Sequence, residues 1–200
     1  MARSTMVDLI AQVRGLSAAT QGEYVTSFAS YWTDNQIESV LDANRLDVYD
    51  EALYGQVEYD GDGQPVYHNY QSQDRWLERT VDGTAIFYLR DSSGARVGTA
   101  DYTVDYRSGR VSLTPNTGGT VLYLTARSYD VYAAAASVWL TKAAHVADRF
   151  DFSADGASFK ASQLRSHYLD MAREMEKQAT FGEATGTRSV TMTRDDVWAW

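Results

Sequence analysis

The sequence predicts an α+β fold: a helical bundle of two N-terminal helices and a long C-terminal helical hairpin, an inserted antiparallel β region, and an extended C-terminal arm. Three observations predict it. Residues 1–46 and 127–182 carry apolar side chains at helical spacing, whereas residues 47–126 are rich in Tyr, Val, Thr and Gly with turn clusters between short runs. The stretch from Tyr129 to Phe150 is apolar nearly all round, the mark of a helix covered on most sides. Beyond Gly182 the period changes: in the arm, residues 183–200, Val190 and Met192 alternate with Ser189, Thr191 and Thr193. At 44% hydrophobic and 12% aromatic, the 200 residues can bury a sizeable core, which excludes global disorder.

The elements follow in order. From about Ser4 to Arg14, the residues Met6, Val7, Ile10 and Val13 share one helical face, and Gly15 is the expected stop. Thr33 and Gln36 have the spacing of a capping box, and Trp32 and Ile37 that of a hydrophobic staple. Ile37, Val40 and Leu41 form the inward face of a helix that should end near Asn44. In the β region, Asp60-Gly61-Asp62-Gly63 turns between Val57-Glu58-Tyr59 and Val66-Tyr67-His68. Asp91-Ser92-Ser93-Gly94 closes another strand, Ala85 to Leu89. Tyr102, Val104 and Tyr106 alternate, Ser108-Gly109 turns, Val111 and Leu113 alternate back, and Thr120 to Ala126 reads as a last strand.

The central helix should run from about Tyr129 to Phe150. Tyr132, Ala135, Trp139, Ala143 and Val146 follow its period, and only Ser137, Thr141, His145 and Asp148 make a polar stripe. A tight loop from Phe150 to Ser158 leads to a partner helix from about Phe159 to Ala179. Ala161, Leu164, Tyr168, Met171 and Met175 are its apolar stripe, Ser158 is its expected N-cap, and Gly182 lies past its end.

Chemistry is sparse. The net charge is −9 and no basic run is present, which disfavours tight nucleic-acid binding. No cysteine is available for a disulfide, a thiolate nucleophile or a thiolate metal site, as suits a cytoplasmic product. The N-terminus lacks the apolar segment of a secretory leader, and no apolar stretch reaches the ~20 residues that span a bilayer, so no membrane partner is expected. His68, His145 and His167 have no second ligand at metal-binding spacing and read as structural or solvated. Asp60 and Asp62 lack the remaining positions of a calcium loop, and Asp151 and Asp155 read as capping and turn residues. Gly61, Gly63, Gly118 and Gly119 are turn glycines with no helix behind them to cradle a phosphate. The expectation is therefore no catalytic residue, no cofactor and no metal. The tyrosines of the β region pack a sheet in the first reading and offer a stacking face in the second. Trp198 and Trp200 would bury against the chain's own core or a neighbouring protein.

A resemblance adds to this. The chain orders a short helix Asp8-Leu9-Ile10-Ala11-Gln12-Val13-Arg14, then Tyr31-Trp32-Thr33-Asp34-Asn35-Gln36-Ile37, then Tyr102-Thr103-Val104-Asp105-Tyr106-Arg107-Ser108-Gly109-Arg110-Val111. Tyr129-Asp130-Val131-Tyr132 followed by four alanines, and Phe150-Asp151-Phe152-Ser153-Ala154-Asp155-Gly156, complete the series. Over about residues 5–180 this resembles the head-to-tail adaptor (connector or head-completion) proteins of long-tailed double-stranded DNA phages. The resemblance implies a virion protein made in the host cytoplasm and seated in the neck. It implies a homo-oligomeric ring, twelvefold, around the DNA channel, with the portal protein on one side and a tail or stopper/tail-terminator protein on the other. The arm would then bind the portal through Val190, Met192, Val197, Trp198 and Trp200, and Tyr132, Trp139, Val146, Tyr168 and Met171 would belong to the ring-forming helices. The alternative is a carbohydrate- or receptor-binding virion module using the Tyr-rich β region; an enzyme ranks third.

Overall fold

The computed structural model describes residues 2–21, 32–80, 86–147, 151–154, 157–159 and 161–179. Among them the fold is mixed α+β, with four helices, two antiparallel sheets and a small two-stranded hairpin.

A 3-10 turn at Ser4–Met6 leads into α1, Val7–Ser17. Met6, Leu9, Ile10 and Val13 face inward, but Val7 is 61% exposed because it opens the helix on the outer side. Gly15 does not stop the helix. The chain continues to Ser17 and turns at Ala18, which takes the left-handed conformation at φ 47°. Gly in a helix costs about 1 kcal/mol. Two contacts offset it: Leu16 packs against both helical clusters, and the buried Ser17 hydroxyl donates to the Val13 carbonyl at 2.7 Å. In α2, Asp34–Ala43, the expected capping box forms. The Gln36 amide donates to Thr33 Oγ1 at 3.4 Å and the Thr33 amide to Gln36 Oε1 at 2.8 Å. Ile37 and Leu41 are fully buried beside Trp32.

The strands are β1 Arg45–Leu53, β2 Gly55–Tyr59, β3 Pro65–Gln71, β4 Tyr88–Arg90, β5 Tyr102–Asp105, β6 Arg110–Leu113 and β7 Leu122–Tyr129. They form a sheet β1-β7-β4 and a sheet β2-β3-β6-β5, antiparallel throughout. β4 is shorter than its sequence suggests. The Thr80 hydroxyl holds both backbone groups of Phe87, accepting from its amide at 3.1 Å and donating to its carbonyl at 3.3 Å, so Phe87 leaves the ladder. β7 runs three residues further than Ala126 because it pairs with β1 as far as Arg45↔Tyr129. Leu122, Leu124 and Ala126 lie in the β core and Tyr129 in the helical core, so β7 joins the two.

α3, Val131–Ala147, therefore starts later than the periodicity suggested. Asp130 opens it, its Oδ1 accepting from the Tyr132 amide at 3.0 Å and the Ala133 amide at 2.9 Å. α1, α2 and α4 (Ala161–Gln178) all pack on α3, which is the central helix. The connection between α3 and α4 is a hairpin, β8 Phe152–Ala154 paired with β9 Ala157–Phe159. Ser158 lies in β9 and cannot cap α4. The Asp151 carboxylate does so, accepting from the Ser162 amide at 3.0 Å and its hydroxyl at 2.7 Å. Gly182 and Asp155 lie outside the described residues.

Candidate functional site

The α3–α4 contact gathers most of the residues assigned to ring-forming helices. Ala135, Ala136, Trp139, Ala172 and Met175 are buried together, and Tyr132, Tyr168 and Met171 close the rim. The alanines let the helices approach closely. The Trp139 ring lies 5.5 Å from that of Tyr168 and 6.4 Å from that of His167, and its Nε1–H donates to the Leu16 carbonyl at 3.2 Å. Val146 is buried on α3 but outside this cluster. Trp139 and Val146 are thus covered within one copy, and the nearly all-round apolar helix finds its neighbours in α1, α2 and α4 rather than only in a second subunit. Leu140, at 43% exposed, with Thr141 and Ala144, marks the side of α3 that stays open. Val190, Met192, Val197, Trp198 and Trp200 lie outside the described residues.

Lys142 gave no signal in the sequence beyond its position on an apolar helix. It is buried, donates to the Ala18 carbonyl at 2.8 Å and places Nζ 4.6 Å from the centre of the Trp139 ring. It ties the end of α1 to α3.

A second unforeseen feature is Glu78, whose side chain is 0% exposed. Thr5 Oγ1 donates to it at 2.6 Å and the Tyr129 hydroxyl at 2.7 Å. The guanidinium of Arg127 stands 3.5 Å away and that of Arg3 3.8 Å. Arg3 also reaches Glu38, 2.5 Å from Nε, and Asp42. Burial pushes the Tyr129 hydroxyl well above the ordinary tyrosine range, and the hydrogen bond and charge of Glu78 push it the same way. Burial works against the charge on Arg3, but Asp42, Glu38 and Glu78 outweigh it and raise its pKa. A carboxylate so fully paired is a fastener between the N-terminus, the β region and the start of α3.

The segment around Glu78 also walls a cleft of about 410 Å³ between α1 and the β region. Asp8 and Gln12 line it from α1, and Val104 to Arg107 line it from the sheet. Trp76 stands between them in the left-handed region at φ 56°, uncommon for a bulky residue. Backbone bonds hold it there: its amide donates to the Arg107 carbonyl and its carbonyl accepts from the Tyr129 amide, each at 3.2 Å. The Arg107 guanidinium stacks 5.0 Å over the indole, and Arg79 lies 3.5 Å from Asp8.

The remaining candidates lie in turns, strands and helix faces. Asp60 accepts from the amides of Asp62 at 3.0 Å and Gln64 at 2.8 Å, which fixes the hairpin turn. His68 Nδ1 lies 3.1 Å from the Leu113 carbonyl, His145 is half-buried, and His167 is exposed beside Trp139. Among the described residues no three His, Asp or Glu side chains are grouped to hold a metal, and no helix is long and apolar enough to cross a membrane. No protein-family model matches this chain, and no curated protein or solved structure matches it.

Proposed function

We propose that the chain is a structural virion protein, a neck adaptor that joins the portal of a tailed phage to its tail or stopper protein and forms part of the DNA channel. The observation that carries this reading is the arrangement around α3: a long α3–α4 hairpin laid on two short N-terminal helices, with the β region entering after α2 and leaving before α3. That order is the one the adaptor resemblance implies. In this reading the four helices are a ring-building bundle, and the charged outer side of α4 and the open side of α3 face neighbouring subunits. An acidic chain suits a channel wall, because DNA then slides past without the counterion release that would hold it.

The test is docking to portal-bearing heads. The full chain should dock in a ring of copies. Deleting residues 183–200 should abolish docking while the far-ultraviolet circular dichroism of the helices is retained. Failure of the full chain to dock at all refutes the reading; docking by the truncated chain refutes only the anchor role of Val190, Met192, Val197, Trp198 and Trp200. One observation favours the receptor-binding alternative: Tyr49, Tyr54 and Tyr59 of the β region are 75%, 70% and 72% exposed. A glycan array probed with the full chain tests it directly.

A further inference from the structure

The four-stranded sheet has two open edges of opposite character. At one edge, β2 is exposed along nearly its whole length, and its Val57 and Tyr59 are more than half exposed, as is Tyr54 just before it. Aromatic and apolar side chains on an edge strand are a liability in a monomer, since unpaired amides and carbonyls there recruit another strand. The irregularity between β2 and β3 places the extra residue in β3, where Tyr67 and His68 face Val57, so it does not blunt the outer side of β2.

The opposite edge is β5. Trp76 and Leu77 close it at its end, their amides donating to the carbonyls of Arg107 and Tyr106 at 3.2 and 2.7 Å. Among the described residues, no backbone hydrogen bond reaches Tyr102 or Val104 from the side away from β6. The cleft beside α1 borders this edge, with apolar walls from Leu9, Trp76 and Val104. Polarity also fits: three successive antiparallel pairings make β2 and β5 of one sheet run in opposite directions, so β2 of one copy meets β5 of another as an antiparallel pair.

We infer that copies of this chain join through these two edges, β2 of one copy extending the sheet of the next at β5, with Val57 and Tyr59, which share the sheet face of Val104, covering the cleft beside its α1. The contact is heterologous, edge to opposite edge, and so propagates into a ring when its rotation closes. Main-chain bonds supply affinity, and Val57 and Tyr59 against Leu9, Trp76 and Val104 supply register. The inference deepens the adaptor reading and rests on it for the repeated assembly.

The cysteine-free chain allows a direct test. Within one copy β2 and β5 are separated by three strand spacings, about 14 Å, too far for a disulfide, which needs Cα atoms within about 7 Å. Gln56, Glu58 and Thr103 are exposed on one face of the sheet, so cysteine there spares the core. Oxidised Q56C/T103C or E58C/T103C full-length protein, concentrated alone and bound to portal-bearing heads, should give a ladder of covalent multimers on a denaturing gel. Each single-cysteine variant should stop at dimers. No cross-linking in either double variant, or dimers only, overturns the inference. So does glycan binding lost on Tyr54→Ser or Tyr59→Ser with no ladder, which assigns the tyrosines to a sugar. Docking of the unmodified chain to heads is scored separately. A ladder without docking leaves the edge contact standing and refutes the neck assignment; docking without a ladder does the reverse.

Discussion

Glu78 shows what one buried charge can hold together. Its oxygens take protons from Thr5 and Tyr129, and its charge answers Arg3 and Arg127. Glu78→Ala leaves two buried hydroxyls without an acceptor and takes one carboxylate from Arg3 and Arg127, which keep Glu38, Asp42 and Asp47. It should cost about 3–5 kcal/mol, against about 1–2 kcal/mol for Tyr129→Phe, which removes one hydrogen bond to a charged group. Urea unfolding at neutral pH measures both, and equal losses would show that Glu78 is not the hub. The same pair sets an alkaline limit. Tyr129 is held neutral, its pKa raised by burial and by Glu78 above the ordinary 10.0. A raised pKa contributes stability that is complete below the unfolded value and lost as pH rises through the folded one. The urea midpoint should therefore fall above about pH 10, and less steeply in Tyr129→Phe, where burial of Tyr102 still contributes. At the acid end the signs reverse. Hydrogen bonds from Ser93 and Ser108 lower the pKa of Asp91 and Asp105, so the stability these turns supply is lost as pH falls below the carboxylate range.

At the scale of elements, local signals succeeded where the partner is near in sequence. The Thr33–Gln36 box is complete within one turn, and Thr33→Ala should cost about 1 kcal/mol, read as a lower urea midpoint with an unchanged slope. The α3 start is set differently: Tyr129 keeps extended geometry because Arg45 pairs with it, and Asp130 then serves as the cap. The α4 start depends on Asp151, eleven residues before Ser162, a spacing that no capping rule anticipates. The α3–α4 contact depends on Trp139, which fills the space the alanines leave and binds the Leu16 carbonyl. Trp139→Ala should cost about 3–5 kcal/mol and loosen α4 first, visible as faster amide exchange between residues 161 and 178 than in α2. Uniform exchange through all four helices would argue against α4 as the outer layer.

The whole molecule carries a charge of −9, and more than half of its described cations partner its own carboxylates. Arg3, Arg14, Arg45, Arg79, Arg90, Arg127, Arg173 and Lys177 all stand in ion pairs. Little positive charge is thereby left for phosphates on a chain that is acidic overall. A salt titration should therefore find no sub-micromolar affinity at physiological salt. Tight binding with a steep salt slope would require several phosphate contacts and would refute this.

What the sequence determined by itself was set by short-range rules. Helical period placed α1 to α4, alternation and turn residues placed the hairpins β2–β3 and β5–β6, and composition excluded cysteine chemistry. These need only residues within a turn or a hairpin of one another. Tertiary structure alone decided the rest. Glu78 meets Thr5 across 73 positions and Tyr129 across 51, and Lys142 meets Ala18 across 124. Gly15 stays helical because Leu16 and Ser17 are buried by elements far along the chain. The two edges of the four-stranded sheet, and the cleft beside one of them, exist only once β3 and β6 pair across some forty residues. Periodicity records which side of an element is apolar; it does not record what lies opposite, and opposition is where buried charge, strain at Trp76 and open edges arise.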